Sequence, residues 1–349
     1  MHEYVGSLHI HSTHSDGTGK VKEIAAAAEE AGLDFIGLTD HNTLRAKREG
    51  EERFFGKTLV TVGAELNDKN NRNHYLAFGV DETSSTRTPA AEYVRAVKEQ
   101  GGIGFIAHPH EKRSSMKEHP PYPWTAWDVE DIGGVEIWNH MSEWMENLTE
   151  RNKYQSFVHP LRTIVAPPKE TLAKWDELAR KRPTPAIGGV DAHAHKVNLL
   201  GFFTAEVFAY KVLFKSIRTH ILADEPIAPT RSRRGVEKAV ATVVRALGKG
   251  SSFVANYYHG DARGFRFFAE TGGAIVGMGD DAPIEGTAKL RAQTPGVVSE
   301  LRLLRDGKEI ERVESDELER DVRKPGAYRV EARLEGKAWI FSNHIRLGL

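Results

Sequence analysis

Through its first two-thirds the chain alternates short apolar runs with amphipathic stretches, the pattern of strands joined by helices in an α/β layer fold. The strand-like runs are Val5–His9, Phe35–Leu38, Leu59–Ala64, Ile103–Ala107, Gly134–Trp138, Ala186–Val190 and Ala205–Ala209, and Tyr75–Val80 reads as a hairpin return. Helical patterning covers Lys20–Ala31, stopped by Gly32, then Thr43–Phe55 and Ala90–Gln100. Residues Pro109–Pro185 form a long insertion with helical pieces near Glu143–Lys153 and Lys169–Lys181, and insertions of this size often cap the site of a barrel enzyme. After Gly235 a helix over Val236–Leu247 ends at Gly248–Gly250, and strands then follow strands, separated by turn signals such as Asp306-Gly307 and Pro325-Gly326. The expected division is a barrel-like domain over 1–230, a linker and helix over 231–250, and a C-terminal β-sandwich domain over 251–349. Arg231, Arg233 and Arg234 lie among Pro226, Pro229 and Gly235, which fits a solvated linker better than a phosphate clamp.

Composition narrows the chemistry. The 349 residues carry 48 Lys+Arg and 49 Asp+Glu, evenly shared between the two parts, so neither offers a face for a polyanion and no stable binding of duplex nucleic acid is expected. No apolar run approaches the roughly 18 residues of a membrane span, and Met1–Ser12 lacks a signal-peptide core, so a cytoplasmic protein is expected. With no Cys, thiolate catalysis, disulfides and Cys-ligated metals are excluded, and a metal site would rest on His and carboxylates.

Those residues are not scattered. Chance placement of 16 His in 349 positions yields about 0.7 His-x-His pairs. Three are present, His9/His11, His108/His110 and His193/His195. Alternation along a strand places i and i+2 on one face, so both imidazoles of a pair at a strand end can reach one ion. The strand ends carry further ligand types: Asp40-His41 after Phe35–Leu38, Glu65 after Leu59–Ala64, His108 after Ile103–Ala107, Glu136 and Asn139 at the fifth strand, Asp191 and His193 after the sixth. In a parallel barrel the carboxyl ends of the strands share one mouth, where such enzymes keep their active sites. One lone His or Asp at a strand end is more often a hydrogen-bonded surface group or a helix cap; six in one register are not. Asp40 and Asn42 remain open between capping and the site.

The ordered motifs Leu8-His9-Ile10-His11-Ser12 with Ser15-Asp16-Gly17, Thr39-Asp40-His41, Gly63-Ala64-Glu65, Ala107-His108-Pro109 and Val190-Asp191-Ala192-His193 resemble the polymerase and histidinol phosphatase (PHP) superfamily over roughly residues 5–210. The resemblance implies a distorted seven-stranded (β/α) TIM-like barrel, here followed by a small all-β immunoglobulin-like sandwich. It implies up to three divalent ions held by His9, His11, Asp16, His41, Glu65, His74, His108, Asp191 and His193. One ion would take His9, His11, Glu65 and Asp191, with Glu65 bridging to a second held by His74 and His108; a third would take Asp16, His41 and His193. His74 stands apart, on the hairpin nine residues past Glu65 and not at a strand end. Asn256-Tyr257-Tyr258, the stretch Gly260 to Phe265 and the closing Ala338 to Asn343 resemble a PHP branch with an appended β-sandwich that includes carbamate hydrolases.

An N/O ligand set suits Mn²⁺, Zn²⁺ or Fe²⁺. It points to hydrolysis by a metal-bridging hydroxide, since metal binding lowers the pKa of water from about 15.7 to ~7. His9, His11, Glu65, Asp191 and His193 are the expected catalytic core. The leading expectation is a phosphoesterase acting on a small phosphate monoester or a nucleotide or short oligonucleotide phosphodiester. A carbamate or carboxylic-ester hydrolase and a metal-binding scaffold without turnover are the alternatives. Candidate substrate contacts are Arg45, His110, Lys112, Arg113, Asn139, His140, His195 and Lys196, with His140 and His195 as candidate general acids. Trp124, Trp127 and Trp138 are candidates to line a pocket. The C-terminal part would pack on the barrel, form a homo-oligomer interface or wall the mouth through Tyr257, Tyr258, His259 and Arg263.

Overall fold

The computed structural model describes residues 1–113, 120–149, 151–199 and 203–349. A mixed α/β region is followed by a large β-rich C-terminal region. Strand β1 (His2–Ile10), buried from Val5 onward, pairs in parallel with β2 (Phe35–Leu38), and β2 pairs in parallel with β3 (Thr58–Val62). At Gly63 the chain steps into β4 (Ala64–Leu66). A Cβ at Gly63 would lie 2.2 Å from the carbonyl oxygen of Ala77, so glycine is required for this close crossing. Strand β4 pairs antiparallel with β5 (Tyr75–Phe78), and β5 pairs antiparallel with β6 (Ile103–Ile106). Parallel pairing then continues through β7 (Gly134–Asn139) to β8 (Ala186–Gly189). Just past β8, Val190 N–H donates to Leu8 O at 3.0 Å and His11 N–H donates to Ala192 O at 2.9 Å, which brings the last strand back to the first.

Helices pack outside these strands because their apolar residues recur at helical spacing. In α1 (Val21–Glu30) the buried residues are Val21, Ile24, Ala25 and Ala28, and Gly32, at φ 70°, takes the left-handed conformation that ends the turn. Helix α2 (Ala90–Glu99) buries Tyr93, Val94 and Val97, and α3 (His140–Glu146) follows β7 directly. Helix α4 (Lys169–Lys181) buries Trp175, Leu178 and Ala179. The stretch expected as linker and helix supplies α5 (Arg233–Lys249), whose Ala239, Val243, Ala246 and Leu247 share a core with Leu8, Phe35, Phe105 and Ile187. Arg231 before this helix and Arg233 and Arg234 in its first turn are exposed, so two of the three belong to the helix itself.

Several expected elements come out differently. The run Ala205–Ala209 is replaced by a strand at Phe203–Val207, which pairs only with His195–Leu199 in a separate two-stranded sheet. The strand β9 (Ile217–Ala223) was not expected, because Arg218, Thr219 and His220 interrupt its apolar pattern. It pairs antiparallel with β1 and with β10 (Ser252–Asn256). The polar helix over Thr43–Phe55 shrinks to Arg45–Arg48. The helical stretch Glu143–Lys153 divides, since α3 ends at Glu146 and a short helix begins at Lys153; residue 150 between them lies outside the described residues.

Through β9 and β10 one sheet runs from the α/β region into Lys337–Ser342, Gly326–Leu334 and Ser299–Arg305. A four-stranded sheet of Ala274–Gly277, Arg266–Thr271, Ala288–Gln293 and Glu317–Val322 packs over it around Phe253, Phe265, Phe267, Leu290, Leu301 and Trp339. Among the described residues no helix is long and apolar enough to cross a membrane.

Two contacts tie the regions together. Asn343 accepts from Ala186 N–H at 2.7 Å and donates to Ala186 O at 2.9 Å, reaching the start of β8 from the C-terminal strands. Arg329 donates from Nε and Nη2 to the two oxygens of Asp176 on α4, at 2.7 and 2.9 Å, and His344 Nε2 lies 2.8 Å from the same carboxylate. Burial raises the Asp176 pKa, but the Arg329 charge and these hydrogen bonds outweigh it and hold the group at about 2, against an ordinary 3.8. A carboxyl depressed in the fold stabilises fully above its unfolded value and loses that contribution as pH falls toward the folded value. The expected outcome for Arg329→Met is a destabilisation of about 3–5 kcal/mol near pH 7, since a buried charge loses its partner. Thermal melts from pH 7 to pH 2 check this. The wild-type melting temperature should drop below pH 4, and the variant's deficit should shrink as Asp176 protonates.

Candidate metal centre

The strand ends converge. Glu65, 1% exposed on β4, faces five imidazoles. His9 Nε2 and His11 Nε2 lie 3.1 and 3.2 Å from its Oε2, and His41 Nδ1 lies 3.4 Å from the same oxygen. His74 Nδ1 and His108 Nε2 lie 2.6 and 3.4 Å from its Oε1. Asp191 Oδ1 stands 3.4 Å from His9 Nε2 and 3.5 Å from both His11 Nε2 and His193 Nδ1. Asp16 gathers the outer imidazoles, at 3.3 Å from His193 Nε2 and 3.6 Å from both His11 Nδ1 and His41 Nε2.

All nine residues expected as ligands therefore meet at one mouth. Within the cluster, His11, Asp16, His41 and His193 form one close group, and His9, His11 and Asp191 another. Two more groups share Glu65, one with His9 and His108 and one with His41 and His74. His74, the position that did not fit a parallel strand end, fits for a simple reason. Strand β5 is antiparallel to β4, with Leu66 opposite Tyr75, so the start of β5 lies where the other strands finish.

The local backbone is bent to achieve this. His9, His108 and Asp191 sit at φ 61°, 28° and 55°, a region that costs a non-glycine residue about 1–3 kcal/mol and is seen where function fixes a side chain. Gly189 is required beside them, because a Cβ there would lie 2.1 Å from Glu136 Oε1 and 2.7 Å from the His9 Cβ.

Surrounding groups orient the imidazoles. Glu136 Oε1 lies 2.9 Å from His9 Nδ1 and its Oε2 accepts from His108 N–H at 2.9 Å, while Asn139 Nδ2 donates to Glu136 at 3.0 Å. Asp40 accepts from Ser12 N–H, Ser12 Oγ and Ser15 Oγ at 2.7–2.8 Å, which settles its role as a brace for the loop carrying Asp16. Sequence reasoning missed Glu111 and Tyr122. Buried Glu111 accepts from Ser142 Oγ at 2.7 Å and from Arg113 Nε at 2.8 Å, and the Tyr122 ring stacks on His74 at 5.2 Å. Neither is at a strand end, so no signal marked them.

The donor set fits divalent ions. Both ring nitrogens of His11, with His41 Nδ1 and His108 Nδ1, are buried without any hydrogen-bond partner, and one carboxylate cannot satisfy five imidazoles. Burial alone would drive these histidines neutral. For His9, however, Asp191, Glu136 and Glu65 outweigh it and hold the ring well above its usual range. For His11 and His108, burial is likewise outweighed by the neighbouring carboxylates, and each is pushed up to about 9. His41, where burial prevails, falls to about 4. Glu65 and Asp191 resist their burial and stay far below the carboxylate range because the imidazoles face them.

The cluster opens into a cavity of about 720 Å³. Of the expected substrate contacts, Arg113, His195 and Lys196 line it, and Asn139 sits behind the imidazoles. The others turn elsewhere. Arg45 is exposed and pairs with Glu49 at 2.6 Å, and Lys112 pairs with Glu170 at 2.8 Å. His110 stacks on Trp127, and His140, pushed down to about 3 by burial, faces Ser216 Oγ at 2.8 Å. Trp124 and Trp138 are core residues, whereas Trp144 reaches the cavity. Tyr257, Tyr258, His259 and Arg263 do not line it.

Residues 7–164 match the family model of the PHP domain. The chain is 27% identical over 116 residues to an uncharacterized protein of Methanocaldococcus jannaschii, spanning 30% of this chain and 66% of that one. It is 31% identical over 83 residues to a phosphoribosyl 1,2-cyclic phosphate 1,2-diphosphodiesterase of Eggerthella lenta, spanning 22% of this chain and 32% of that one. In both cases the match spans less than two-thirds of the relative. A two-domain protein from Bacteroides vulgatus containing a predicted PHP-like metal-dependent phosphoesterase aligns over 98% of this chain and 95% of its own, at 14% identity and a TM-score of 0.43.

Two outcomes are expected. Glu136→Gln removes the charge that orients His9, and divalent-metal affinity should fall about 10–100-fold with the fold retained, measured by competition with a chromogenic chelator. Imidazoles that carry protons in the metal-free protein must release them to ligate, so apparent affinity should rise from pH 6 toward pH 9 and fall on acidification. Calorimetry in two buffers of different ionisation enthalpy should show net proton release on metal binding.

Proposed function

We propose that this protein is a metal-dependent hydrolase, in its leading form a phosphoesterase acting on a small phosphate monoester or a phosphodiester. The observation that carries the reading is the carboxylate of Glu65 amid five imidazoles, with both nitrogens of His11 buried and unpartnered. The name of the Eggerthella lenta relative adds support for ester cleavage at phosphorus. The same residues support the assignment of nine ligands, His9, His11, Asp16, His41, Glu65, His74, His108, Asp191 and His193, to as many as three positions suited to Mn²⁺, Zn²⁺ or Fe²⁺. The pairing from β1 round to β8, with β3 and β4 counted as one strand bent at Gly63, supports a distorted seven-stranded barrel. A largely separate core around Phe265 and Trp339 supports an immunoglobulin-like sandwich beginning near residue 251.

Divalent ions in such a site supply Lewis acidity and bring the pKa of water from about 15.7 to ~7. The chain supplies the rest. Lys196 lines the cavity and offers positive charge to the non-bridging oxygens, while Arg113, also in the lining, is paired with Glu111. Water adds to phosphorus and releases a proton to solvent, the bond to the ester oxygen breaks, and the departing alkoxide takes a proton. His195, stacked on His193 at 4.9 Å and lining the cavity, is the group to which we assign that proton.

A second reading, hydrolysis of a carbamate or carboxylic ester, is favoured by the apolar wall of the same cavity, formed by Met141, Trp144, Met145, Phe157 and Val207. The complete ligand set weighs against a scaffold without turnover. Metal-stripped protein reconstituted in turn with Mn²⁺, Zn²⁺ and Fe²⁺ should cleave an aryl phosphate monoester or diester, with activity falling to background in His11→Ala and Asp191→Ala. Cleavage of an aryl carbamate alone would transfer the assignment to the second reading.

A further inference from the structure

The cavity lining is of two chemical kinds. Imidazoles and carboxylates occur together with Arg113 and Lys196, and beside them stand Met141, Trp144, Met145, Phe157 and Val207. Three separate segments build this apolar wall: α3, the short helix Lys153–Val158, and the last residue of the strand Phe203–Val207. It is rigidly backed. Trp144 is 2% exposed, meets Phe157 and Phe208 edge-to-face at 5.0 Å each, and donates from Nε1 to Ser156 O at 3.1 Å. Buried Glu143 on the same helix accepts from Val165 N–H at 2.7 Å and from Ala166 N–H at 3.1 Å, which clamps the segment beyond the short helix to α3. Met141 and Phe157 are half-buried, so each keeps surface for a ligand.

A volume of about 720 Å³ far exceeds what a phosphate or carboxylate group fills, and pockets of this size usually enclose most of an organic ligand. A purely polar substrate would leave the apolar surface wet beside the most polar part of the molecule. Methionine thioethers bind ring edges and adapt to their shape, and the Phe157 ring offers an aromatic partner.

We propose that Met141, Met145 and Phe157, backed by Trp144, form a subsite for an aromatic group on the organic part of the substrate, next to the hydrolytic centre. The proposal rests on the hydrolase reading only in taking the metal-ligand cluster as the place where the anionic or ester group sits.

The test measures binding, so differences in leaving-group reactivity do not enter. Metal-reconstituted protein is titrated calorimetrically with methylphosphonate, phenylphosphonate, acetate and phenylacetate. Each aromatic ligand should bind about tenfold or more tightly than its methyl counterpart, from burial of one ring face and edge, with a negative heat-capacity change. In Phe157→Ser this preference should fall to about twofold. Met141→Gln keeps side-chain length and helix propensity, guards against a folding failure, and should lower the preference as well. Val158→Ser, at a position 70% exposed on the same short helix and outside the cavity lining, should leave it unchanged. Equal affinity for phenyl and methyl ligands, or a preference unmoved by both cavity variants, overturns the subsite. If phosphonates bind without aromatic preference, the phosphoesterase reading stands and the subsite falls. If phenylacetate is preferred over acetate while neither phosphonate binds, the subsite stands and the phosphorus substrate falls.

Discussion

One buried carboxylate sets the terms for the rest of this molecule. Glu65 lies at the step from β3 to β4 with five imidazoles turned toward it, a density of ionisable groups that water would ordinarily screen. Away from water each charge costs several kcal/mol unless it is paired, and unpartnered imidazole nitrogens add to that cost. The backbone contributes further strain at His9, His108 and Asp191. Such an arrangement persists only when the surrounding structure holds it rigidly, and ions of opposite charge to the carboxylates would relieve it.

The rigidity comes from hydrogen bonding and packing that have no part in the chemistry. Strand β1 is bonded on one side to β2 and on the other to the segment after β8, so His9 and His11 cannot move without disturbing both. Glu136 and Asn139 fix the His9 ring from behind, and Asp40 fixes the loop of Asp16. The C-terminal region shares in this. Its strands continue the sheet of β1 through β9 and β10, Asn343 pairs with the backbone at the start of β8, and Arg329 holds α4. Support of the α/β region is therefore a role the β-rich region performs, while none of Tyr257, Tyr258, His259 or Arg263 lines the cavity.

Much of the centre was legible because strand periodicity is local. An apolar run followed by His, Asp or Glu shows where a strand ends, and parallel strands must end together. His9, His11, His41, Glu65, His108, Asp191 and His193 follow from that rule, with Asp16 and His74 added by family resemblance. The rule fails where partners are set by long-range contact. Charge at Lys112 looked available for substrate, yet Glu170, distant in sequence, lies 2.8 Å away. His140 follows β7 in sequence but is turned into the interior toward Ser216.

The sequence by itself determined the alternation of strands and helices, the change to β-structure near residue 250, and the N and O donors of the centre, because these depend on residue type and spacing along the chain. Only the tertiary structure decided that β9 joins the two regions into one sheet and that Glu111, Tyr122 and Trp144 reach the site region. It also decided that the cavity lined by the ionic groups has an apolar wall as well. Those properties depend on which segments pack together, and the strand ending at Val207 meets α3 and the short helix after it, about 50 residues earlier in the chain, only once the chain is folded.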